Sequence, residues 1–254
     1  GTATVLTVEK QEKTSQPPRL YDLTTLQREA NRLHGFTAQQ TLDYLQSLYE
    51  KKLATYPRTD SQYLTEGMTA TAGSIVSFLL LRMPFAKGQS FTPNLERVAD
   101  NSKVSDHHAV IPTAEISTAD IDELPAGERV VLTMIAAHLL CATAPPHAFE
   151  AVTTVLEIRS GSDDTPHSFT AKGKTILNDG WKAIDAAYRA TLKGKPDKED
   201  GEDKALPELA EGQQFPDVAA SVREGKTSPP KRYTEEANKN GYELARLFTK
   251  EMLS

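Results

Sequence analysis

Residues 56 to 61 read Tyr-Pro-Arg-Thr-Asp-Ser, and this run brings a phenol and a guanidinium within two positions of each other. A free tyrosine has a pKa near 10, so it is a poor nucleophile at neutral pH unless the charge that develops during attack is stabilised. Attack on a phosphodiester builds negative charge on the phosphoryl oxygens, and a planar guanidinium matches that charge with paired donors. In extended backbone, side chains two apart leave on the same side, which puts Arg58 beside Tyr56. Pro57 drives Tyr56 out of the helical region and fixes its backbone. Thr59, Asp60 and Ser61 are short polar groups suited to holding a turn by local hydrogen bonds. Taken alone, the run also fits an ordinary turn around a core tyrosine, because short motifs recur by chance.

A second cluster is Asp-His-His-Ala-Val-Ile-Pro-Thr, residues 106 to 113. A histidine there can donate to a phosphate or be oriented by Asp106. Zinc would need more ligands, and His138, His147 and Cys141 lie in other segments. Asp120 and Asp122, one residue apart, read as a solvated loop rather than a magnesium pair, since no buried strand precedes them. No Walker-type glycine loop is present, so no ATP site is indicated. Trp181 reads as a core residue of a β-rich region rather than a base-stacking platform.

The elements that must carry these residues follow from periodicity. Residues 2 to 10 are rich in Thr and Val and read as a strand, broken by the prolines at 17 and 18. Leu23, Leu26, Ala30 and Leu33 then share a helical face, with Thr24 and Gln27 as a capping box and Gly35 as the stop. A second helix starts at Thr37 with Gln40, carries Leu42, Leu45, Tyr49 and Leu53 on one face, and stops near Thr55. Two amphipathic helices joined by a glycine turn have helix-turn-helix geometry. Further helices are predicted at about 65 to 83 and 127 to 143, the latter apolar nearly all round and therefore buried. From residue 150 onward, alternating and β-branched runs predict strands, among them one at 217 to 224. Thr234 is the expected cap of a last helix. The first strand has no partner inside the helical block, so its partners lie beyond residue 148. The expected class is α+β, a β-rich domain with a helical domain inserted.

Composition sets outer limits. The chain has 254 residues with a net charge of −6, and residues 196 to 211 carry seven acids against two lysines, nearly the whole excess. A basic groove elsewhere is therefore compatible with the overall acidity. No run approaches a membrane span. Cys141 is the single cysteine and reads as a buried structural thiol. The start at Gly1 and the helical-looking end lead to the expectation of an excised piece of a longer protein.

Together, YDLTTLQREANRLHGFTAQQTLDYLQSLYEKKLATYPRTDSQYL, SDHHAVIPT, GWKAI, LPELAEGQ and KTSPPKRYTEEA, in this order, closely resemble the central part of a type IA DNA topoisomerase, most closely the bacterial topoisomerase III branch. The resemblance implies a toroid in which a β-rich arch, residues 1–18 and 145–232, receives an inserted helical domain, 19–144, that carries the active-site tyrosine. Residues 233–254 would begin a following helical domain. It implies that Tyr56 is the nucleophile that cuts one DNA strand through a 5′-phosphotyrosine link, allows strand passage and reseals without ATP. Arg58 would stabilise the phosphoryl transition state, and His107 would contact phosphate, with Thr59 and Ser61 as further DNA contacts. The family's Mg2+ site belongs to an acidic domain N-terminal to this region, so no metal ligand is expected here, and the chain alone is expected not to relax supercoiled DNA. Single-stranded DNA is the expected ligand, a helicase is a candidate partner, and a cytoplasmic, nucleoid-associated monomer away from membranes is expected. The rival reading is a non-catalytic helix-turn-helix module, though the second helix lacks the clustered Arg and Lys that a duplex reader needs.

Overall fold

The structure is a computed structural model, and it describes residues 1–160, 163–192, 206–216, 218–219 and 224–227. Thr-Val alternation in the first segment produces strand β1, Thr2–Ser15, with Ala3 and Val5 buried and their neighbours Thr2 and Leu6 exposed. β1 pairs antiparallel along its length with β2, His147–Ser160, from Thr2 opposite Arg159 to Ser15 opposite His147. β2 pairs in turn with β3, Asp163–Asn178, and the two-residue strand β4, Gln214–Phe215, lies on the other side of β1. The sheet order is β3-β2-β1-β4. The first strand thus finds its partners beyond the helical block, as its unpaired edge requires.

The chain divides into two compact units. One holds Gly1–Gln16, Pro146–Gly180 and the described residues of Lys195–Pro229; the other holds Pro17–Pro145 and Trp181–Gly194 among its described residues. The second unit is helical: α1 (Leu23–His34), α2 (Ala38–Glu50), α3 (Thr69–Arg82), α4 (Ala126–Thr143) and α5 (Trp181–Ala190), with short 3-10 turns between α2 and α4. Its core is one cluster that includes Leu26, Leu45, Leu48, Ile75, Leu79, Leu132, Ile135 and Leu139.

Local chemistry sets the helix ends. Asp22, not Thr24, caps α1, and its partner is Thr25 rather than Gln27: the Asp22 carboxylate accepts from the Thr25 amide at 2.6 Å, and the Asp22 amide donates to the Thr25 hydroxyl at 3.1 Å. An acceptor at the cap itself is stronger than the Thr-Gln pattern two positions on. Gly35 closes α1 at φ 69°, and Thr37 with Gln40 forms the capping box of α2 as the sequence suggests. α2 ends at Glu50, five residues before the expected stop, because Lys52 turns into the left-handed region at φ 61°.

α4 is packed inside the helical unit, and twelve of its residues are buried. It is the one helix among the described residues with the length and apolarity of a membrane span, with mean hydropathy 1.3, and burial of two thirds of it in the helical core accounts for that apolarity. At its start Gly127 lets α2 approach closely: a Cβ there would sit 2.3 Å from the Tyr44 ring. The next residue, Glu128, is buried and needs partners. It accepts from the Ser47 hydroxyl at 2.9 Å and pairs with Lys51 at 2.5 Å.

Two expectations are corrected here. Trp181 is the first residue of α5, half-buried against the helical core, and is not a residue of the sheet unit. Asn178-Asp179-Gly180 breaks the chain at the end of β3, and the apolar spacing of Ile184 and Tyr188 then buries one face of a helix. The strand expected at 217–224 is displaced to Gln214–Phe215; Val218 and Ala219 are in no strand, and the rest of that segment lies outside the described residues. The same holds for the acidic run at 196–205, for Thr234 and for 233–254.

Candidate active site

Three chain segments converge on the tyrosine. The exit of α2 runs through Leu53, Ala54 and Thr55, and these pair with residues 109 to 113 as a short antiparallel ladder. Thr55 donates its amide to the Ile111 carbonyl at 3.0 Å, and Thr113 donates its amide to the Leu53 carbonyl at 3.1 Å. The Thr55 hydroxyl donates to the Ala109 carbonyl at 3.1 Å and accepts from the Ile111 amide at 3.0 Å. The segment before α1 closes the arrangement. Tyr21 bridges Val110, accepting its amide at 2.8 Å, and Leu23 donates to the Thr59 carbonyl at 3.1 Å. One short segment, residues 21 to 23, therefore touches both the Tyr56 loop and the His107 loop.

That hub is itself locked. The Tyr21 hydroxyl donates to Glu29 at 2.5 Å, and its ring stacks on His138 at 3.6 Å. Burial, reinforced by the Glu29 charge, holds the Tyr21 phenol well above its usual value, so it stays protonated and keeps donating.

Next to this frame stand the residues with chemistry. Tyr56 is half-exposed, and its ring lies 4.1 Å from that of His107 at a tilt of 32°. Tyr49 meets the same ring edge-on at 5.5 Å and 85°. Pro57 is buried, which anchors the loop between the half-exposed Tyr56 and the exposed Arg58. Arg58 is exposed, and no hydrogen bond or ion pair among the described residues engages its guanidinium. His107 is exposed as well. His108 turns its Nδ1 to the Ala109 carbonyl at 2.9 Å.

The two hydroxyl residues fall elsewhere. Thr59 and Ser61 are 8% and 5% exposed. The Thr59 hydroxyl donates to the His107 carbonyl at 2.9 Å and accepts from the Ser61 amide at 3.1 Å. The Ser61 hydroxyl donates to the Lys103 carbonyl at 2.8 Å. Both are engaged within the protein and tie the Tyr56 loop to the His107 loop, which is the turn-holding role that short polar side chains favour. The structure thus brings Tyr56 and His107 into contact, and it sets Thr59 and Ser61 beneath them.

Sequence reasoning missed Tyr49 and Tyr21. Helical spacing put Tyr49 on the buried face of α2, but it is 40% exposed and edges onto Tyr56 instead. Its position one turn before Lys52 and seven residues before Tyr56 is the signal that was available. Tyr21 acts through its backbone and through Glu29, and no local pattern announces that.

Asp120 and Asp122 are exposed, with the Asp122 amide donating to the Asp120 carboxylate at 3.1 Å, a self-contained turn. Among the described residues no three His, Cys, Asp or Glu side chains stand together to hold a metal ion. Cys141 is buried, its thiol pushed up by burial and set 3.8 Å from the Trp181 carbonyl, as a structural thiol should be. At the end of α2, Lys51 is committed to Glu128, leaving that helix still less able to read duplex DNA by charge.

Comparison with known proteins bears on this geometry. Residues 1–237 match the model of the family described as DNA topoisomerase. The chain is 36% identical over 241 residues to DNA topoisomerase 3 of Bacillus licheniformis, and 36% identical over 240 residues to that of Bacillus subtilis (strain 168). Each match covers 92% of this chain and 31% of the relative, so the chain spans about a third of the length of these curated relatives. Among solved structures, full-length topoisomerase I from Thermotoga maritima superposes with a TM-score of 0.67 at 21% identity, over 95% of this chain and 37% of that one. At that identity the superposition speaks for the fold.

Proposed function

This chain belongs to the type IA DNA topoisomerase family, and on that premise we propose that Tyr56 is the nucleophile of a reversible, ATP-independent strand cleavage. The Tyr56 hydroxyl oxygen forms a bond to a backbone phosphorus of single-stranded DNA. The bond from that phosphorus to the 3′ oxygen breaks, and the tyrosine proton ends on the departing 3′ hydroxyl. The product is a 5′-phosphotyrosine link, which keeps the energy of the phosphodiester, so the reverse attack reseals the strand after another has passed.

One observation carries this reading: the half-exposed Tyr56 ring is held against that of the exposed His107, with the exposed Arg58 two residues on in the same loop. Arg58 meets the charge that grows on the phosphoryl oxygens, where preorganised donors lower the barrier most. His107 holds the tyrosine ring and donates to phosphate. Thr59 and Ser61 brace the two loops and do not themselves meet DNA. We place the family's magnesium and general acid on other parts of such an enzyme. The described residues offer no metal site, and no step here runs through one. The ligand we infer is single-stranded DNA, with a helicase as candidate partner, a monomer as working unit and the nucleoid in the cytoplasm as setting. These four rest on family likeness.

The test uses a protein of the relatives' full length that carries this chain. It is mixed with end-labelled single-stranded DNA and magnesium, quenched with detergent and run on a denaturing gel beside Tyr56→Phe. A protein-linked DNA band that vanishes in the variant is expected. A band that persists in the variant moves the nucleophile elsewhere. No band in either, with DNA binding intact, returns the helix-turn-helix reader, which no feature of α2 favours.

A further inference from the structure

Beyond Tyr56 and Arg58 the same loop forms one wall of a small cleft of about 170 Å³, lined by Arg19, Gln62, Tyr63, Arg97 and Val98. Two of its five lining residues are arginines and none is an acid. A water takes roughly 30 Å³ of liquid, so the cleft has room for a hydrated or directly bound phosphate group.

Arg97 is fixed rigidly. Its Nη1 donates to the Pro18 carbonyl at 3.0 Å and to the Ala142 carbonyl at 3.1 Å, and its Nη2 donates to the Pro17 carbonyl. Those three bonds use part of a guanidinium's five-donor fork. Arg19 is exposed and lies over the Tyr63 ring, 5.3 Å from its centroid. No ion pair among the described residues neutralises either one. The Asp22 carboxylate, which accepts from the Gln62 side chain at 3.2 Å, is also committed to the cap of α1. Burial first, and the charge of Arg19 in addition, pull the Arg97 guanidinium below its usual value. Two cations held at one cleft without a counter-charge repel each other, and an anion between them turns that cost into attraction.

Resting on the DNA reading above, we propose that this cleft is a phosphate subsite for a single DNA strand, distinct from the Tyr56 site, in which Arg19 and Arg97 hold one phosphodiester. Arginine suits the task because its planar fork meets two phosphate oxygens at once. Tyr63 carries the Arg19 guanidinium on its ring face and so limits the freedom lost on binding. The cleft is joined to the candidate active site by backbone: the Tyr63 carbonyl accepts the Ala109 amide at 2.9 Å, two residues from His107. A strand seated at Tyr56 has a second fixed point on the same loop.

The 254-residue chain is titrated with a fluorescent single-stranded oligonucleotide over a range of salt concentrations, as wild type, Arg19→Ala and Arg19→Lys. Arg19 is exposed, so both variants should melt at the wild-type temperature. The slope of log affinity against log salt reports phosphates neutralised, at about 0.7 per contact for single strands. The expected result is a slope shallower by about 0.7 in Arg19→Ala, and a wild-type slope with weaker binding in Arg19→Lys, which keeps the charge but not the fork. An unchanged slope and affinity in Arg19→Ala, with the wild type binding normally, overturns the subsite and leaves the Tyr56 assignment standing. No oligonucleotide binding by the wild type overturns the DNA reading for this chain and the subsite with it. Saturable binding of inorganic phosphate that Arg19→Ala removes, with the oligonucleotide slope unchanged, assigns the cleft to a free anion instead.

Discussion

The rings of Tyr56 and His107 lie 4.1 Å apart at a tilt of 32°, and the loops that bear them are stitched together by the Thr59 hydroxyl bonding to the His107 carbonyl at 2.9 Å. If Tyr56 is the nucleophile, as proposed, a ring held this way has less rotational freedom to lose when substrate arrives, and orientation of that kind can remove a large part of a barrier. On the proposed reading, His107 supplies both the wall that the Tyr56 ring rests on and a donor to phosphate. In a protein of the relatives' full length, His107→Ala should therefore slow formation of the covalent DNA complex by roughly 10²- to 10³-fold, the cost of losing one preorganised donor. Single-turnover cleavage of an end-labelled oligonucleotide measures it. A rate within a few fold of wild type would remove His107 from the chemistry.

Thr59 separates bracing from DNA contact. Thr59→Val keeps the shape but deletes the hydroxyl, leaving the His107 carbonyl and the Ser61 amide without their partner. Buried groups left unpaired cost about 1–3 kcal/mol each. Urea unfolding of the chain should show a loss of about 2–6 kcal/mol for the two groups together, while oligonucleotide affinity and its salt slope stay near wild type. A large drop in affinity with unchanged stability would return Thr59 to the DNA contacts.

What could be seen in the sequence follows a physical divide. Helical periods exposed α1, α2 and α4, because a buried face repeats every three or four residues and α4 is apolar nearly all round. That β1 pairs beyond the helical block was legible from the absence of any earlier partner. The order of Tyr56, Pro57 and Arg58 was legible because proline restricts the residue before it. The rest depends on contacts far apart in sequence. Nothing local in Thr59 says that its hydroxyl ends on His107, and nothing in Tyr21 says that one segment binds both loops. Trp181 was misplaced because Gly180 breaks the chain equally well before a strand or a helix, and only packing against α4 decides.

Gly127 tests the packing beneath α2. A methyl group there would lie 2.3 Å from the Tyr44 ring, on the helix whose C-terminal end presents Ser47 and Lys51 to Glu128. Overpacking of this kind costs typically about 1–3 kcal/mol. Gly127→Ala should lower the unfolding midpoint of the chain in urea even though alanine is the better helix former, by close to 1 kcal/mol per residue. A variant as stable as wild type would mean that the Tyr44 ring swings aside freely. Because α2 leads directly into Tyr56, the same variant should also slow cleavage in the full-length protein.

The helical unit should be most stable in a neutral window, and the sign on each side can be worked out. Burial holds His34 and His138 below the ordinary imidazole value. In the unfolded chain both take up protons near the usual pKa of about 6.5, while the folded forms resist until lower pH. The unfolded state then binds more protons, so stability is complete above that value and falls as the solution becomes more acidic. On the alkaline side burial pushes up the Cys141 thiol and the Tyr21 and Tyr188 phenols, the tyrosines helped by Glu29. These groups ionise first in the unfolded chain, so stability falls above about pH 9, the thiol first and then the phenols. Melting temperatures measured from about pH 5 to pH 11 should show a plateau with a decline at each end. His138→Phe keeps the stack on Tyr21, 3.6 Å between ring centroids in the wild type, but cannot titrate, so the acid decline should be shallower in this variant. An acid limb identical to wild type in both His138→Phe and His34→Gln would place the responsible protons on other groups.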